Sequence, residues 1–349
     1  ATMLDIDAAE DPLGAARNDF SHSLERWLAE QREGRAKPGE KREDVKPQLA
    51  AERIVHLYPD GQDADHGLPE AMGPGESNGA KGQEVWRNGM ALRNVGDSAR
   101  FTIYLADKAV STGQMVVICP GGAYVWTSQF SEGTYVARWL LGKGVSACVV
   151  QHRLPVGHWE VPLTDIQNTM RYLRAHSEEL GINQIGVMGF SAGGHLAASA
   201  ATLYADSITR PDFALLFYPV ITMESGVTHG GTRMNLIGGD DRWIGREQQL
   251  QTLIDRYSLE NQVTSDTPPT FIALCTDDDA VPAENSARFF RSLVEKGVRV
   301  EIHSFPEGGH GWGYRTEDIG TDQVPYARED IDISLSRFLA ETGKQTKKQ

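Results

Sequence analysis

The stretch QIGVMGFSAGGHLAASAATLYA, residues 184–205, decides the fold. It is apolar over its first residues, then small and glycine-rich, then alanine-rich. An apolar run of strand length that passes through glycines into an alanine-rich run reads as a buried strand turning sharply into a helix. One polar side chain, Ser191, sits at the bend, inside Gly189-Phe190-Ser191-Ala192-Gly193. Glycines on either side let strand and helix approach closely, and the turn lifts the hydroxyl above the sheet edge beside a helix N-terminus. The bland alternative is a helix-capping serine at a close-packed crossing. In a chain with 36 glycines, G-x-S-x-G alone decides nothing.

Reading outward, strands and helices alternate. MVVIC (115–119) precedes a helix near 133–141, VSACVVQ (145–151) one near 163–180, and FALLFYPV (213–220) a long excursion. TFIALCT (270–276) precedes a helix near 283–296, and VEIHSF (300–305) a final one near 330–340. Such alternation builds a mostly parallel sheet covered on both faces by helices, which binds ligands beyond the carboxyl ends of its strands. Before it, RIVHLYP (53–59), EVWRNGMALRNV (84–95) and ARFTIYLA (99–106) read as strands, with a Gly/Pro-rich loop over 61–82 between the first two. Residues 1–51 form an extension. In it Phe20, Leu24, Trp27 and Leu28 fall at helical spacing, ahead of a charged, proline-punctuated linker. The domain reading is this extension, a catalytic domain over 52–342 and a polar tail over 343–349.

A serine nucleophile needs a base, and the base an orienting acid, in the chain order Ser, Asp or Glu, His on such sheets. TFIALC ends in Asp277, Asp278 and Asp279, and VEIHSF ends in a glycine-rich loop carrying His310. Both lie at strand carboxyl ends in the required order. Asp278 is the first choice of acid and Asp277 the second; a solvated turn or a cation site are the other readings of the three carboxylates. His303 lies inside a strand, and His195 on the helix is directed into packing. His152, His158 and His229 sit on loops or in the excursion. The developing oxyanion needs backbone N–H donors. Ala192 after the serine offers one, and the loop Pro120-Gly121-Gly122-Ala123 offers the second through Gly122 or Ala123.

Together VVICPGGAY, QHRLP, IGVMGFSAGGHLAAS, RPDFALLFYPVI, THGG, TPPTFIALCTDDDAVPAENSARFF and FPEGGHGWG resemble α/β-hydrolases of the acetyl-xylan-esterase and feruloyl-esterase type, over about residues 52–340. That resemblance implies an α/β-hydrolase fold with Ser191 as nucleophile, Asp278 as orienting acid and His310 as general base. Gly122, Ala123 and Ala192 then form the oxyanion hole. It implies deacylation of plant polysaccharides or their fragments, with an acylated carbohydrate as substrate and acetyl favoured over feruloyl. Tyr124, Trp126 and Trp312 adjoin the site and are candidates for sugar stacking or for core packing. Other readings are a further carboxylesterase, a prolyl-oligopeptidase-like peptidase, for whose extra domain the chain has little room, and a non-catalytic binding protein.

A net charge of −14 opposes nucleic-acid and anionic-membrane partners, and no apolar run is long enough to span a bilayer. The three cysteines lie in apolar runs without CxxC or Cys/His metal spacing, which reads as inert core thiols. Neither metal nor cofactor is expected. The chain begins at Ala1 rather than Met, as it would after signal-peptide removal and equally at any other cut. The compartment is therefore open, secretion or periplasmic export included.

Overall fold

The computed structural model describes residues 49, 51, 53–58, 84–87, 90–93, 99–155, 157–313 and 328–346. The amphipathic helix and linker expected before residue 49, and the loop over 61–82, lie outside the described residues.

Eight strands form one sheet: β1 (Arg53–His56), β4 (Arg100–Tyr104), β5 (Gln114–Cys119), β6 (Ser146–Gln151), β7 (Gln184–Phe190), β8 (Ala214–Phe217), β9 (Thr270–Cys275) and β10 (Val300–Phe305). Their order across the sheet is β1-β4-β6-β5-β7-β8-β9-β10. The pairs β1–β4 and β4–β6 are antiparallel and every other pair is parallel. EVWRNGMALRNV, read as one strand, is a separate two-stranded hairpin, β2 (Glu84–Arg87) and β3 (Met90–Arg93). Asn88-Gly89 at its centre is a strong two-residue hairpin signal, and it breaks the run.

The central strands are buried on both faces, which is why they read as continuous apolar runs rather than alternating ones. Along β5, Met115, Val117 and Cys119 join the core on one face while Val116 and Ile118 join that on the other. The helices are α1 (Tyr135–Gly142), α2 (Val161–Ala175), α3 (Ser177–Leu180), α4 (Ser191–Thr202), α5 (Gly230–Ile237), α6 (Glu247–Tyr257), α7 (Glu284–Glu295) and α8 (Arg328–Thr346). The single helix expected over 163–180 is interrupted at His176, and α8 continues past Thr342 into the polar stretch.

Helix α4 follows β7 directly and is buried on nearly every side. Its small residues allow that. A Cβ at Gly193 would fall 2.1 Å from the Cys119 carbonyl oxygen, and one at Gly189 2.1 Å from the Gly193 oxygen. No real side chain tolerates such contacts, so the crossing of β5, β7 and α4 requires glycine at both places.

Beyond β6, the QHRLP turn is held by a buried ion pair. Arg153 donates through Nε to both carboxylate oxygens of Asp165 at 3.0 and 3.1 Å, and its backbone N–H donates at 2.7 Å. The Tyr58 hydroxyl donates to the same carboxylate at 2.7 Å, and its ring lies 4.0 Å from the Arg153 guanidinium carbon.

Candidate active site

Ser191 ends the β7 turn with φ of 54°, in the left-handed region that disfavours side-chain-bearing residues. Holding a serine there costs on the order of 1–3 kcal/mol, offset by the packing of strand and helix around it. The side chain is 8% exposed at the carboxyl edge of the sheet.

His310 reaches it from the loop after β10. Its Nε2 lies 2.8 Å from Ser191 Oγ, and its Nδ1 lies 2.7 Å from Asp278 Oδ2. An ionised carboxylate only accepts, so Nδ1 carries the ring proton and Nε2 is left to accept from the hydroxyl. Asp278 is itself fixed: its Oδ1 accepts from the Ala280 and Val281 amides at 3.0 and 2.8 Å. Asp277, the other candidate acid, faces elsewhere. It accepts from the Gly308 and Gly309 amides at 3.1 and 2.8 Å, anchoring the loop that presents His310. Asp279 is exposed. Among the described residues, no group of three or more His, Cys, Asp or Glu side chains could hold a metal ion.

The amides of Gly122, Ala123 and Ala192 share one structural device. In a trans peptide the N–H points opposite to the preceding carbonyl, so fixing that carbonyl aims the N–H. The Ser191 carbonyl accepts from the Val220 amide at 3.0 Å, which aims the Ala192 N–H, one of the donors a helix start leaves unpaired within the helix. The Gly121 carbonyl accepts from Ser128 N–H at 2.9 Å, aiming the Gly122 N–H. The Gly122 carbonyl accepts from Val125 and Trp126 at 2.9 and 3.2 Å, aiming the Ala123 N–H. The loop also bears directly on the serine, since a Cβ at Gly121 would lie 3.0 Å from Ser191 Cβ. Asn235 on α5 holds the Ala123 carbonyl through a 2.8 Å hydrogen bond.

The aromatic candidates separate. Tyr124 and Trp312 are each 3% exposed and belong to the core rather than to an open sugar platform. Burial of Tyr124 follows from its φ of 60°, which turns the ring inward, and from its hydroxyl donating to His195 Nδ1 at 3.0 Å. Trp312 stacks edge-on against Phe217 and Tyr218. Trp126 is partly exposed on the glycine loop.

His195 is buried among these groups; Nε2–H donates to the Tyr257 carbonyl at 2.9 Å, and burial pushes the imidazole down to about 4. His303 stacks on Phe271 within β10. His152 is buried, its Nδ1–H donating to the Arg153 carbonyl, and burial lowers it.

His229, named in the sequence only as a rival histidine in the excursion, has a defined place in the structure, and two further contributors, Glu132 and Tyr218, escaped the sequence reading. His229 caps α5 by accepting the Thr232 amide at 3.1 Å, and burial followed by the charge of nearby His310 holds it below the ordinary imidazole range, against a pull from Asp278. Glu132, 5% exposed, lies on a π-helical turn (Phe130–Thr134) and accepts from the Gly121 amide at 2.7 Å. Tyr218 leaves β8 with φ of 35°, and its ring centroid lies 4.9 Å from that of His310. Only the position of Tyr218 at a strand's carboxyl end offered a sequence signal. A glutamate on a single wide turn has no periodicity to betray it.

Residues 101–293, more than half of the chain, match the BD-FAE family; this span holds Ser191 and Asp278 and ends before His310. An acetylxylan esterase of Xylanibacter ruminicola is 32% identical over 256 residues, 66% of this chain and 52% of that protein. An endo-1,4-beta-xylanase B of Butyrivibrio fibrisolvens is 34% identical over 60% of this chain and 34% of its own length. The chain thus spans about half or less of these relatives. In three dimensions it is similar to an acetyl ester-xyloside bifunctional hydrolase from Caldicellulosiruptor lactoaceticus. The TM-score is 0.65 at 27% identity, covering 85% of this chain and 99% of that one. With this sheet order, this serine turn and these relatives, the chain belongs to the BD-FAE family and has the α/β-hydrolase fold.

Proposed function

We propose that the protein is a serine esterase that removes short acyl groups, acetyl foremost, from carbohydrate such as xylan or its oligosaccharides. The observation that carries this reading is the unbroken hydrogen-bonded path Ser191–His310–Asp278, at 2.8 and 2.7 Å, beneath amides aimed by their preceding carbonyls. In it, His310 takes the Ser191 proton as Oγ attacks the ester carbonyl, and Asp278 holds the imidazole and balances its positive charge. The Ala192 amide and those of the glycine loop receive the oxyanion. His310 then protonates the departing sugar hydroxyl, leaving an acyl-serine. Water, deprotonated by the same imidazole, attacks the acyl-serine and releases the acid. Every proton is returned, and no cofactor enters.

The acyl and sugar preferences rest on the relatives, one named an acetylxylan esterase and another an acetyl ester-xyloside hydrolase. Trp126, partly exposed on the glycine loop, offers a face on which a sugar ring can stack. Hydrolysis of p-nitrophenyl acetate, a longer p-nitrophenyl ester and a peptide anilide, with acetate release from acetylated xylan, tests the reading. Acetyl esters are expected to turn over fastest, and Ser191→Ala to lose on the order of 10⁴-fold or more in kcat. Retained acetate release in Ser191→Ala, or a preference for the anilide, sinks it.

A further inference from the structure

Glu132 is a buried carboxylate to which acid–base chemistry at the serine assigns no part. Burying such a charge is costly unless donors surround it, so its placement asks for a reason. Its Oε2 accepts from the Gly121 amide at 2.7 Å and its Oε1 from the Tyr218 hydroxyl at 2.8 Å. The Tyr218 oxygen in turn accepts from the Gly313 amide at 2.8 Å, three residues past His310. The same ring packs against the His310 and Trp312 rings, each with centroids 4.9 Å apart. Gly313 also rests on the turn that carries Glu132, because a Cβ there would fall 2.7 Å from the Ser131 carbonyl oxygen.

We propose that Glu132 is a positioning residue: it ties the glycine loop to the histidine loop through Tyr218, and so sets where the Gly122 and Ala123 amides stand relative to His310. This rests on the serine-esterase reading above. The two loops come from different strand ends, β5 and β10, which are separated across the sheet by β7, β8 and β9. Nothing in the strand ladder alone holds the oxyanion donors and the base at one distance. Hydrogen bonds to an ionised carboxylate are roughly twice as strong as neutral ones, which suits a tie that must resist loosening. Gly121 is gripped on both sides: Glu132 holds its N–H and so the Pro120–Gly121 peptide plane, and Ser128 holds its carbonyl and so the Gly121–Gly122 plane, so neither plane rotates without breaking a hydrogen bond. The turn that delivers Glu132 is π-helical, a local irregularity common at functional positions.

The test is steady-state hydrolysis of p-nitrophenyl acetate by the wild type, Ser191→Ala, Glu132→Gln, Tyr218→Phe and the Glu132→Gln/Tyr218→Phe double variant, with melting temperature measured on each. A displacement of about 1 Å at a reacting centre costs on the order of 10²-fold, so each single variant is expected to lose 10- to 100-fold in kcat with KM within about threefold. The double variant should be no worse than the poorer single, because both cut one tie. A kcat within threefold of wild type, a loss confined to KM, or multiplying losses overturns the proposal, whatever the melting temperature does. If Glu132→Gln does not fold, Tyr218→Phe decides by the same kcat and KM criteria. Activity surviving in Ser191→Ala defeats the esterase reading itself, whereas a dead Ser191→Ala beside a fully active Glu132→Gln defeats the positioning role alone.

Discussion

Lowering the pH from 7 to 4 should destabilise the fold through His195, by an amount that the site's own geometry sets. The ring is fully enclosed; its Nε2–H donates to the Tyr257 carbonyl and its Nδ1 accepts from the Tyr124 hydroxyl. Both bonds are satisfied by the neutral tautomer, and a second ring proton would face a hydroxyl already donating. Burial accordingly lowers the imidazole from 6.5 to about 4. The sign follows from proton counting. Below pH 6.5 the unfolded chain binds a proton here that the folded chain refuses until about pH 4, so stability present above 6.5 is lost as pH falls through that window. At 1.36 kcal/mol per pH interval, the loss from this residue is about 3 kcal/mol. His152 and His229, also lowered by burial, add in the same direction. Urea denaturation at pH 4, 5, 6, 7 and 8 on the wild type and on His195→Gln isolates the term. The variant is expected to be less stable at pH 7 and to lose about 3 kcal/mol less than wild type between pH 7 and 4. Parallel stability curves for the two proteins would refute the reasoning.

Two further outcomes are expected. Asp278→Asn should lower kcat on p-nitrophenyl acetate about 10⁴-fold by allowing the wrong His310 tautomer, while Asp277→Asn, whose carboxylate accepts from the Gly308 and Gly309 amides rather than from His310, should lose about tenfold or less; the reverse order would show that the acid is misassigned. Cys119, Cys148 and Cys275 are all buried and free, and burial raises each thiol, Cys275 up to about 12. A thiol reagent such as DTNB should therefore label none in the native protein at pH 8 and all three in guanidinium, and rapid native labelling would contradict the packing.

Much was legible in the chain itself. The parallel strands read as unbroken apolar runs because both of their faces are buried. The serine turn was readable because only glycine fits where β5, β7 and α4 meet. Ser191, Asp278 and His310 stood out because sheets of this kind bind ligands beyond their strand carboxyl ends, where the structure brings all three within hydrogen-bond reach. The choice between Asp277 and Asp278 could not be read, since two adjacent residues on a turn point in opposite directions by amounts set only by the folded backbone. Tertiary structure turned Asp278 to the imidazole and Asp277 to the amides beneath it. The fate of the aromatics was hidden for a similar reason: Tyr124 goes inward because its backbone takes a left-handed turn, a property that no periodicity reports. Glu132 and Tyr218, 86 residues apart, meet only because the fold brings β5, β8 and β10 to one edge. Local sequence thus determined the elements and which polar groups stand at their carboxyl ends. The long-range contacts, which depend on every intervening strand, decided which way those groups face and what holds them there.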